Sequence, residues 1–102
     1  MRNMIYVLIS RKDFDKRIYI SKFVSDKGFM PVYQTMLVDF HLDKEKLLDD
    51  KIILRCSEMW VFGKADEKMK EEISVARRLG KPVKHFDITN VHANVYDIEE
   101  RK

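Results

Sequence analysis

Asp66 and Glu72 are the two residues whose type and position are best suited to chemistry, and Glu72 is the more informative of them. At 100° per residue, Met69, Ile73, Val75, Ala76 and Leu79 fall on one arc of a helix, with Lys70, Glu71, Ser74, Arg77 and Arg78 on the other. Glu72 lands inside the apolar arc and is the only charged residue there. Helical side chains lean toward the N-terminus, so its carboxylate is expected to point toward the loop Gly63–Lys68. One reading is a functional carboxylate with a pKa set by burial. The other is a partly buried Glu paired with a Lys, or one that reaches solvent at the helix edge. Asp66 has the spacing of an N-cap, and capping is its first expected role.

The elements around these residues read as a βαβ unit. Met59-Trp60-Val61-Phe62 is a short apolar run of β-formers that stops at Gly63. Asp66 opens the helix, Arg77 and Arg78 lie in its last turn, and Gly80 and Pro82 end it. A strand follows over 82–86. Further upstream, Met4–Ile9 is a continuous apolar run, as in a central parallel strand buried on both faces. Asp13–Lys27 reads as a helix capped by Asp13, with an apolar face of Ile20, Phe23 and Val24 and with Phe14 and Ile18 on the opposite side. Phe29–Gln34 reads as an edge strand that presents Tyr33 and Gln34 at its carboxyl end. Thr35–His41 is ambiguous, and Asp43–Cys56 reads as a further helix. The tail from Asp87 has no clear period and is compatible with a short helix or an edge strand. The expected fold is one flavodoxin-like three-layer α/β domain over 1–102. Its parallel strands are expected near 4–9, 29–33, 58–63 and 82–86, in the order 2-1-3-4.

The stretch CSEMWVFG, the polar loop after it, Met69, Glu72-Ile73, Ala76 and Gly80-Lys81-Pro82-Val83 resembles the nucleoside 2-deoxyribosyltransferase-like superfamily. The similarity is good over about a third of the chain and weaker over its first half. It implies that Glu72 is the nucleophile attacking the anomeric carbon of a nucleoside or nucleotide. Asp66 would then contact a sugar hydroxyl or assist protonation of the leaving base. Ser10, Tyr33, Gln34 and Gly63 would line the substrate site. The family's C-terminal segment reaches a neighbouring subunit's site, a part that Asn90, Asn94 or Tyr96 could take. Where the family follows its first strand with a Pro- and Gly-containing sugar loop, this chain has Ser10-Arg11-Lys12-Asp13. Ser57 and Lys68 also depart from the Asp and Gly usual in the family.

Two function classes follow. One is an enzyme that cleaves or exchanges N-glycosides through Glu72. The other is a nucleotide-binding or protein-interaction module that keeps the fold without the reaction. Nucleic acid is a weaker partner, because 20 basic against 17 acidic residues leave a net charge of only +3. His41, His85, His92 and Cys56 have no zinc spacing, so no metal is expected, and no cofactor is expected either. The opening apolar run is too short for a membrane span and has no cleavage pattern, so a cytoplasmic location is expected. The two-sided first helix and the apolar tail point to a homodimer or larger homo-oligomer.

Overall fold

The computed structural model describes residues 2–33, 51–92 and 95–101. The chain runs through β1 (Met4–Ile9), a 3-10 turn (Arg11–Lys16), α1 (Arg17–Asp26), β2 (Met30–Tyr33) and helical residues 51–55. It then continues through β3 (Glu58–Phe62), α2 (Glu67–Arg78), β4 (Val83–His92) and β5 (Val95–Glu100). The sheet has five strands in the order β2-β1-β3-β4-β5. β2, β1, β3 and β4 run parallel, and β5 pairs antiparallel with β4.

Four strands are therefore too few. β4 does not stop at Phe86: it continues to His92 and returns as β5, with a register shift between Asn90 and His92. The reason this is hard to read is burial. From Asp87 onward β4 is paired only with β5, and most of its side chains are exposed, so no apolar period marks it. The first helix also differs. Its opening turn is 3-10, the α-helix starts at Arg17, and Asp13 lies within the 3-10 turn instead of capping a helix.

Alternation along the strands splits the core in two. Ile5 and Val7 of β1 and Trp60 and Phe62 of β3 face α1, where they meet Ile20 and Val24. Tyr6, Leu8, Met59 and Val61 face α2 and residues 51–55, where they meet Ile53, Met69, Ile73 and Ala76. The chain thus forms three layers with the sheet in the middle. β1 and β3 are adjacent, and the chain moves outward from them in opposite directions, through α1 to β2 and through α2 to β4. With crossovers of one hand, that reversal places the two helices on opposite faces. The carboxyl ends of β1 and β3 are then the switch point, the place where open α/β sheets form a crevice for ligands. Among the described residues, no helix is long and apolar enough to cross a membrane.

Candidate functional site

α2 begins just past the carboxyl end of β3. The Asp66 side chain accepts a hydrogen bond from the Met69 backbone N–H at 2.8 Å, which makes Asp66 the N-cap. The other end closes on Gly80, at φ +74°, with Lys81 N–H bonded to Ala76 C=O and Gly80 N–H to Arg77 C=O. Between these caps Met69, Glu72, Ile73 and Ala76 form the buried stripe. Glu72 is 6% exposed, whereas Glu71 on the opposite face is exposed. Its Cα lies about 9 Å along the helix axis from the cap, at 1.5 Å per residue.

The crevice between β1 and β3 is built differently from the sequence expectation. Ser10 and Gly63, at the ends of the two strands, are brought together around Asp13. Gly63 adopts φ +78°, and a Cβ added to it would sit 2.9 Å from Asp13 Oδ2. Ser10 Oγ donates to the same oxygen at 3.3 Å, and Lys16 Nζ contacts Asp13 Oδ1 at 2.6 Å. The ion pair raises the Lys16 pKa above the ordinary lysine value. Lys16 also stands over the Tyr96 ring at 5.6 Å, and Tyr96 packs edge-on against Tyr19 with centroids 5.1 Å apart. The hairpin thus reaches past the carboxyl edge and meets the first turn of α1. Asp13 and Lys16 were not among the residues expected here. Their i, i+3 spacing is a recognisable pairing signal, but only the 3-10 turn directs the pair toward Gly63.

The remaining candidates are scattered. Tyr33 is buried on the α1 face, where its hydroxyl shares a hydrogen bond with Ser21 at 2.5 Å and donates to the Arg17 carbonyl at 3.1 Å. Burial pushes its phenol pKa up, while the Ser21 bond and the nearby Arg17 oppose that shift. The sheet separates Tyr33 from Glu72, so the two do not share a site, and Tyr33 serves to tie β2 to α1. The cause is strand parity, since Tyr33 pairs with Val7, whose side chain faces α1. Asn90 is exposed on β4, opposite Tyr96. Gln34 and Asn94, together with the segment Thr35–His41 and most of Asp43–Cys56, lie outside the described residues.

Cys56 is buried, and burial pushes its thiol up to about 11, with Lys81 opposing. Its place is in the core cluster under α2. Among the described residues, no three His, Cys, Asp or Glu side chains form a group that could hold a metal ion. No protein-family model matches this chain, and neither does any curated protein.

Proposed function

We propose that this chain is a flavodoxin-like domain acting on a nucleoside or nucleotide, with Glu72 carrying N-glycoside cleavage or base exchange. The observation that supports this best is the contrast on α2: Glu72 is 6% exposed and shares a stripe with Met69 and Ile73, while Glu71 is exposed. Removing a carboxylate from water costs free energy, and buried carboxylates are concentrated at functional sites. In the reaction, a Glu72 oxygen bonds to the anomeric carbon as the carbon–nitrogen bond to the base breaks. The bonding pair leaves with the base, which takes up a proton. Water then displaces Glu72 to release free sugar, or a second base does so to form a new nucleoside. Ser10 and Asp13 are the groups nearest the crevice for binding sugar hydroxyls. Asp66 has a carboxylate oxygen engaged by Met69 N–H, which suits an acceptor better than a proton donor.

A second reading, a non-catalytic binding or interaction module, is favoured by the crevice itself. The Asp13–Lys16 pair follows β1, where the resemblance expects a sugar loop, and Asp13 lies against Gly63. In either reading the protein is cytoplasmic and a homodimer or larger homo-oligomer. Ile18 is 72% exposed, and Val91 and Val95 are each 56% exposed, which leaves apolar surface for a second copy. Light scattering at high micromolar concentration tests the assembly, and a monodisperse monomer refutes it.

The decisive experiment incubates the full chain with a panel of nucleosides and nucleoside monophosphates and measures free base by chromatography. Base release that disappears in Glu72→Gln, with the thermal transition retained, supports the enzyme. Saturable ligand-induced amide shifts without base release support the binding module. Neither release nor binding across the panel refutes both.

A further inference from the structure

The outer edge of β5 is a surface that the glycoside reading does not use. β5 ends the five-stranded sheet, so one side of its backbone pairs with β4 and the other has no strand beside it among the described residues. The register fixes which groups face outward. Arg101 N–H donates to the His85 carbonyl at 2.6 Å, which puts His85 and Arg101 at a hydrogen-bonded position of the antiparallel ladder. Such positions recur at every second residue, so Asp97 and Glu99 point their backbone groups at β4, opposite Thr89 and Asp87. Tyr96, Ile98 and Glu100 alternate with them and point their N–H and C=O groups away from the sheet.

The charged side chains of this edge are of one sign. Ile98 packs with the core of the α1 face and Tyr96 against Tyr19, so both turn to the α1 side. Asp97 and Glu99 therefore project on the α2 side, where both are exposed. Val95–Glu100 contains Asp97, Glu99 and Glu100 and no Lys or Arg. None of these carboxylates forms an ion pair among the described residues. Arg101, next along the chain, is engaged instead by Asp87, its Nε donating to Oδ1 at 3.0 Å.

A second copy of β5 does not suit this edge. In two-fold antiparallel registers centred on Asp97, Ile98 or Glu99, a carboxylate stands directly opposite a carboxylate, at the close spacing of about 4.5 Å between Cα atoms. Like charges so placed oppose pairing, and a strand with Lys or Arg at those positions reverses the sign. We infer that the outer edge of β5 takes up an extended basic segment of a partner protein as a sixth strand. Its Lys or Arg side chains stand at alternate positions opposite Asp97 and Glu99, with an apolar residue between them beside Ile98. Backbone hydrogen bonds to Tyr96, Ile98 and Glu100 supply the attachment, and the carboxylates select the sequence.

The test titrates the full, isotope-labelled chain with the capped heptapeptide TKVKVKT and follows backbone amides by NMR. Saturable binding is expected, with protection from solvent exchange gained at Tyr96, Ile98 and Glu100. Asp97 and Glu99, whose N–H groups already face β4, should change little. The glutamate counterpart TEVEVET is expected not to bind. Replacing both valines by proline keeps the charge but removes the donors that face β5, and should weaken binding about tenfold or more. Asp97→Lys combined with Glu99→Lys should do the same with amide dispersion retained, since both side chains are exposed. Equal binding of the proline peptide, unchanged binding by the charge-reversed chain, or no protection at the three amides up to millimolar peptide would each overturn the assignment. So would concentration-dependent protection of the same amides in the free chain, which would give the edge to a second copy.

Discussion

The two faces of one sheet are built on opposite plans. The α2 face is largely aliphatic, with Leu8, Met59, Val61, Met69, Ile73 and Ala76 closing over the strands, and it takes one carboxylate, Glu72, into its buried stripe. On the α1 face Phe23, Trp60, Phe62 and Phe86 form one connected aromatic cluster under a short helix that meets β5 through Tyr19 and Tyr96. Flexible and branched aliphatic side chains fill space between a helix and a sheet efficiently, so that face closes. Rings held edge-to-face at 5 to 6 Å interlock through directional contacts instead, and this face closes as well, with Trp60, Phe62 and Phe86 buried. The carboxylate proposal belongs to the aliphatic face.

Packing density should give the largest difference between the faces. Phe62 is fully buried at the centre of the aromatic cluster, in contact with Phe23, Trp60 and Phe86. Phe62→Ala is expected to cost ~3–5 kcal/mol by chemical denaturation, toward the low end if the neighbouring rings collapse into the space. A loss below about 1 kcal/mol would mean that the rings around Phe62 are loosely packed and do not close this face.

The crevice between the two layers comes next. Gly63→Ala places a side chain on a positive-φ residue and drives its Cβ toward Asp13 Oδ2, so a loss of ~2–3 kcal/mol is expected. Combining it with Asp13→Ala should recover the steric part and leave ~1–2 kcal/mol of backbone strain. Strict additivity of the two changes would show that Asp13 does not press on Gly63 in solution.

Alkaline pH separates the faces more finely. The folded chain holds the Cys56 thiol proton more tightly than the unfolded chain, with a pKa moved from 9.0 to about 11. Unfolding therefore releases that proton between these values, so stability is complete below pH 9 and falls as pH rises toward about 11. The full loss is ~2–3 kcal/mol. Tyr33, on the other face, shifts in the same direction and contributes a further loss. Cys56→Ala should flatten the pH dependence of the melting temperature in this window but not abolish it. An unchanged slope would place the thiol in contact with water.

The smallest effect concerns His85, which lies beyond the helix-covered core. Burial lowers its pKa, and the charges of Arg101 and Arg77 add to the shift. A folded pKa below 6.5 means that stability is present above the unfolded value and is lost as pH falls below it. An NMR titration should find the imidazole below its ordinary value, and Arg101→Gln should move it part of the way back. A titration at or above the ordinary value would show that the C-terminal segment does not pack against β4.

Local order along the chain was settled by residues whose signals lie close together. The continuous apolar run at Met4–Ile9 is the buried central strand, and Asp66, Gly80 and Pro82 mark the ends of α2. The arc of Met69, Ile73 and Ala76 correctly placed Glu72 on the buried side, because a 3.6-residue period can be read without knowing what the helix packs against. Three features needed the folded chain. The β4–β5 hairpin was illegible because pairing at a sheet edge relies on backbone hydrogen bonds, which leave no apolar period in exposed side chains. Tyr33 looked available at a strand end until its register beside Val7 turned it toward α1. Asp13 reached the crevice only because Gly63, fifty residues later in the chain, has no Cβ to exclude it. Contacts within one turn are encoded by spacing, whereas contacts across the sheet depend on strand order and register, which are set only when all the strands assemble.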